Sequence, residues 1–106
     1  MSSVVSLSEM NTVQGVMGER KVDVLRDTGC TGVIVRKSLV PQSAFTGKTL
    51  TMVMVDSSTQ TLPEAKVSID SPYYKGEVLA LCLDRPLVDV IIGNIEGARE
   101  PGNPDR

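Results

Sequence analysis

Apolar positions along this chain recur with a period of two far more often than with the period of a helix, and the runs are short. Val13-Gln14-Gly15-Val16-Met17 and Val22-Asp23-Val24-Leu25 flank Gly18-Glu19-Arg20, a composition that predicts a first hairpin. Val33-Ile34-Val35 predicts a strand over residues 32–35 that ends at Arg36-Lys37-Ser38. Residues 41–48 read as polar and turn-like. Thr49 to Val55 alternates most clearly, with Leu50 and the other even positions on one face, and Ala65 to Ile69 returns as its partner. Between them Asp56-Ser57-Ser58-Thr59 is a turn by composition, so residues 49–69 predict one long hairpin. Gly76 to Leu83 is apolar at nearly every position and predicts a central strand covered on both faces. Asp84-Arg85-Pro86 breaks it, and Leu87 to Ile92 runs into Gly93. At most one helical turn is expected near Asn94 to Ala98, and residues 1–10 and 99–106 read as flexible ends. The pattern predicts a single all-β domain.

Composition narrows the chemistry. The chain has 106 residues and only three aromatic ones (two Tyr, one Phe), so its core must be built from Val, Leu, Ile and Met. There is no His, which removes Ser-His-Asp and Cys-His nucleophile systems and His-based zinc sites. Cys30 and Cys82 are too few for a disulfide framework and read as two buried thiols in a reducing compartment. A net charge of -2 gives no surface suited to nucleic acid. No apolar run has the length of a membrane span, and no signal peptide is legible. Asp23, Asp84 and Asp89 read as solvated or turn residues.

Carboxylates, hydroxyls, amines and thiols remain. Asp27-Thr28-Gly29 stands at the turn between two predicted strands, with a second element, Val90-Ile91-Ile92-Gly93-Asn94, far downstream. Taken alone, an Asp-Thr-Gly is a turn in which the Asp caps a backbone amide. Two carboxylates held within hydrogen-bonding distance do something else: they share a proton, so one can deprotonate water while the other protonates a carbonyl. The chain has one Asp-Thr-Gly, and a two-fold dimer would supply the second.

Leu25-Arg26-Asp27-Thr28-Gly29-Cys30 resembles the catalytic loop of retropepsins, the homodimeric aspartic proteases of retroviruses and LTR retrotransposons. Val90-Ile91-Ile92-Gly93-Asn94 resembles the family's second signature, and Val24 to Gly32 is closest in flavour to gypsy-type elements. The resemblance covers residues 20–98. It implies a small closed or partly open β-barrel with a flap hairpin, working without a cofactor on a Gag-Pol type polyprotein, in the cytoplasm or within virus-like particles. It implies Asp27 as the catalytic residue of each subunit, with Thr28 and Gly29 supporting the loop and Ile92, Gly93 and Asn94 lying beneath it. Cys30, Val33, Leu87, Val88 and Ile91 would line substrate subsites, and Asp56, Ser57 and Ser58 would form the flap tip. Activity would be greatest at mildly acidic pH.

The sequence also departs from the retroviral pattern. Ser57-Ser58 stands where flaps are Gly-rich, and no Gly occurs in residues 48–75. Thr31, Gly32 and Asn94 occupy the places of a usual ion pair. Arg26 replaces a common Leu, and alternation directs it away from the dyad, toward a carboxylate at the subunit interface. Glu100 to Arg106, with Pro101 and Pro104, cannot form the interleaved terminal strand of retroviral dimers. The expected dimer is therefore weak, held by the Asp27 loops, the flaps and Val4 to Leu7. These departures motivate an alternative, a catalytically weak or inactive retropepsin-like module for dimerisation or peptide binding. A monomeric protease with two motifs is disfavoured by the single Asp-Thr-Gly.

Overall fold

A computed structural model describes residues 12–27, 31–53 and 56–99. It is mostly β, as the alternation predicts, with seven strands: β1 (Thr12–Met17), β2 (Arg20–Arg26), β3 (Val33–Arg36), β4 (Phe45–Val53), β5 (Thr59–Asp70), β6 (Lys75–Leu83) and β7 (Val90–Ile92). Their order is β1-β2-β7-β3-β6-β5-β4, and β1 pairs again with β5 through Val16↔Asp70 and Met17↔Ile69. The sheet thus closes ring-like through six strands and leaves β4 at an edge.

The two predicted hairpins form. Gly18, at φ 64, makes the tight turn from β1 to β2, a conformation a side chain resists. Residues 93–99 form a hydrogen-bonded turn, with Ala98 N–H donating to Ile95 O at 3.1 Å, and no helix. Residues 41–48 depart from the expected irregular turn. Two short 3-10 turns, Lys37–Leu39 and Gln42–Ala44, lead into a strand that begins four residues early, at Phe45. A register shift between Phe45 and Thr49 absorbs the polar residues, with Gly47 at φ 89. That bulge is why composition read as a turn.

One face of the sheet makes the core. Val22 and Val24 of β2, Val90 and Ile92 of β7, Val33 and Val35 of β3, Ala80 and Cys82 of β6 and Ala65, Val67 and Ile69 of β5 all turn inward. Two expectations fail at the opposite face. β6 is flanked by β3 and β5 as a central strand should be, yet its outward face is open and Leu79 is 53% exposed. β4 has no buried face beyond its base: Leu50 and Val53 are exposed, and with residues 56–61 they form a free-standing two-stranded arm. Alternation in sequence cannot distinguish such a ribbon from a strand laid on a core.

Candidate active site

The β2–β3 connection owes its position to a strand 60 residues later. β2 and β3 follow one another in sequence but are not neighbours, because β7 is inserted between them, parallel to β2 and antiparallel to β3. The end of β7 clamps both ends of the loop. Asp27 N–H donates to Ile92 O at 3.0 Å, and Gly93 N–H donates to Gly32 O at 2.8 Å. Asp27 is exposed, while Ile92 and Gly93 are buried beneath it. Thr28, Gly29 and Cys30, and Val4 to Leu7, lie outside the described residues.

No protein-family model matches the chain, and no curated protein matches it.

Register decides what accompanies Asp27. Leu25 of β2 lies opposite Ile91 of β7, Ile91 opposite Ile34 of β3, and Ile34 opposite Leu81 of β6. Residues paired this way share a face, and Asp27 continues the alternation of Leu25 two positions on. The Asp27 face is therefore lined by Leu25, Ile91, Ile34 and Leu81. Two of the expected subsite residues lie off this row. Val33 and Val88, 2% and 3% exposed, are shut away from the surface, Val33 inside the core. Ile34, itself 6% exposed, is the β3 residue on the Asp27 face, because in a strand of three consecutive apolar residues only the pairing partner sets the face. Ile91 is half-buried on the Asp27 face, and Leu87 is exposed in the bend before β7. The signal for Leu25 was available: it is two residues before Asp27.

Arg26 points away from that face, as alternation requires, and turns into the protein. It is 4% exposed. Its Nε donates to Arg99 O at 2.6 Å, Nη2 to Asn94 Oδ1 at 3.0 Å and Nη1 to Ile92 O at 3.2 Å, with a longer contact to Asp27 O at 3.4 Å. Arg99 N–H in turn donates to Tyr73 O at 2.8 Å, so residue 99, expected to be flexible, is pinned. Burial pushes the Tyr73 hydroxyl above its ordinary value, an effect the nearby Arg26 charge opposes. Asn94, expected under the loop, is exposed and serves as an acceptor for Arg26.

Asp89 is likewise no solvated turn residue. Its Oδ2 accepts Asp23 N–H at 3.0 Å and its Oδ1 accepts Arg36 Nε at 3.0 Å, tying β2 and β3 to the approach to β7. At the arm's tip, Asp56 Oδ1 accepts both Ser58 N–H at 3.0 Å and Ser58 Oγ at 2.5 Å, with Ser57 at φ 72 between them. The Ser58 hydroxyl, and then its amide, hold the Asp56 carboxyl below its ordinary value. The serines thus close a turn with side-chain hydrogen bonds where glycine would have relied on backbone freedom.

The described residues contain no cluster of three His, Cys, Asp or Glu able to hold a metal ion. Among them, no helix is long and apolar enough to cross a membrane.

Proposed function

We propose that the chain is one subunit of a homodimeric aspartic endopeptidase of the retropepsin type. Its ring-like sheet is read as that family's small barrel and the β4–β5 arm as its flap. The observation that carries the reading is an exposed Asp27, set on a loop clamped at both ends by the inserted strand β7, with Leu25, Ile91, Ile34 and Leu81 on its face. Clamping matters because a carboxylate dyad works only when both members are held in place before substrate arrives. Two copies of Asp27 across a two-fold axis would divide the chemistry. One carboxylate takes a proton from water as it attacks the scissile carbonyl, and the other gives a proton to the carbonyl oxygen. The resulting diol collapses with proton transfer to the leaving amine. Aliphatic residues beside Asp27 favour apolar side chains around the cleaved bond, and the arm would cover the substrate and exclude water. The substrate class is a Gag-Pol type polyprotein, cleaved in the cytoplasm or in an assembling particle.

The test is a pH series from 4 to 7 on a precursor carrying flanking residues, wild type beside Asp27→Asn. Wild type should release itself, most rapidly at the acidic end, and pepstatin should block it. Asp27→Asn should remain folded and uncleaved. Cleavage by the Asn variant would remove the mechanism; peptide binding without cleavage by wild type would leave a binding module.

A further inference from the structure

We propose that Glu64 is a specificity-determining residue that receives a basic side chain of an extended peptide, about four residues from the side chain seated on Ile91 beside Asp27. The proposal rests on reading the Asp27 face as a polypeptide-binding face. The row Leu25–Ile91–Ile34–Leu81 does not end at β6. Leu81 lies opposite Glu64 of β5, so a carboxylate terminates a line of four aliphatic side chains on the same face.

Glu64 is unusual in its surroundings. It is 8% exposed, yet among the described residues it forms no ion pair. Its carboxylate, with room for about four hydrogen bonds, accepts one, from Thr46 Oγ1 at 2.9 Å. Among the described residues its second oxygen has no partner and is not enclosed, so the carboxylate can still accept a donor from outside. The Thr46 hydroxyl is placed deliberately. The bulge in β4, with Gly47 at φ 89, carries it over Glu64, and Lys48 N–H donates to it at 3.2 Å. Bulges recur beside sites because they re-aim a side chain out of the regular ladder.

An ammonium or guanidinium supplies what this site lacks, a positive charge with several donors. Its distance from Ile91, on the strand whose end holds the Asp27 N–H, follows from the sheet. Glu64 lies three strands beyond Ile91, about 14 Å across, and an extended peptide advances about 3.3 Å per residue, which gives about four residues. The side chains between on this face are Ile34, 6% exposed, and Leu81, half-buried, so the peptide side chains between should be aliphatic.

The experiment measures anisotropy of labelled decapeptides bound to the Asp27→Asn chain. The peptides share a central aliphatic pair and differ only at the fourth position from it: Lys, acetyl-lysine or norleucine. The Lys peptide should bind about tenfold or more tighter than either neutral one, as a charge-assisted hydrogen bond requires. In Glu64→Gln, which keeps an acceptor for Thr46, that ratio should fall to within about twofold. The acetyl-lysine comparison needs no variant, so it stands even where Glu64→Gln does not fold. A ratio below about twofold in the Asp27→Asn chain, a ratio unchanged by Glu64→Gln, or no binding of any peptide overturns the proposal. Cleavage by wild type, read in parallel, separates the two readings. Cleavage indifferent to Lys removes the role of Glu64 alone, whereas a Lys preference in binding without cleavage removes the protease alone.

Discussion

Replacing Arg26 with Met should unfasten the segment after Gly93 from the body of the domain. Among the described residues, Arg26 donates hydrogen bonds of 2.6, 3.0 and 3.2 Å to Arg99 O, Asn94 Oδ1 and Ile92 O, besides the longer one to Asp27 O. Bonds from a charged donor contribute about 1.5–3 kcal/mol each, so their simple sum is roughly 4.5–9 kcal/mol. That sum is too large for three reasons. Asn94 is exposed and Arg99 half-buried, so their oxygens regain water. Ile92 O keeps the Asp27 N–H at 3.0 Å. Removing the guanidinium also removes the cost of burying it, while Met retains the apolar stem's packing. The net loss should be about 2–4 kcal/mol, out of about 5–15 kcal/mol for a whole domain. At about 4–8 °C per kcal/mol, the melting temperature should fall by roughly 8–32 °C. Arg26→Lys should recover less than half, because a compact ammonium cannot reach three diverging acceptors. Calorimetry and urea melts at one fixed protein concentration measure this, since dimerisation adds to apparent stability. A Met variant within about 0.5 kcal/mol of wild type, the range of an ordinary surface substitution, would refute the clasp.

Three further outcomes follow from neighbouring features. A Cβ on Gly15 would stand 2.9 Å from Ser71 Cβ and 3.0 Å from Asp70 O, so Gly15→Ala should strain the β1–β5 seam and cost about 1–3 kcal/mol; an unchanged urea midpoint would count against that close approach. Asp89→Ala strands Asp23 N–H and Arg36 Nε and should lower stability by about 1–3 kcal/mol, with Asp89→Asn intermediate in the same melts. The Ser58 hydrogen bonds favour ionised Asp56, so its folded value lies below the ordinary 3.8. Their contribution to the arm's tip is therefore complete above pH 3.8 and lost as pH falls through the lowered folded value. The Ser58 amide resonance should titrate below 3.8 in wild type, and Ser58→Ala should move the Asp56 midpoint upward; a wild-type midpoint at or above 3.8 contradicts the turn.

Local features were legible in the sequence and distant ones were not. The β1–β2 and β4–β5 hairpins follow from alternation and turn composition within about 20 residues, and both form. The exposure of the arm was hidden, because alternating residues look alike on a core and on a ribbon. Val33-Ile34-Val35 was legible as a strand but not by face, since all three positions are apolar and buried on opposite sides of one sheet. Ile34 is outward only because its partners are Ile91 and Leu81, 57 and 47 positions away. Arg26 and Asp89 carry the same lesson. Their acceptors and donors are drawn from segments 53–73 positions distant, which no window of sequence connects. Glu64 escaped notice because a lone carboxylate in a strand reads as solvated until burial and register are known.

The central claim is that one site needs Asp27 from two chains. Mixing wild-type and Asp27→Asn subunits at constant total concentration, with time for exchange, tests it most directly. Cleavage rate should fall with the square of the wild-type fraction, to about a quarter at an equal mixture, because only dimers with two aspartates hold the dyad. A rate that falls in simple proportion to the wild-type fraction would place the whole site within one chain and contradict the account.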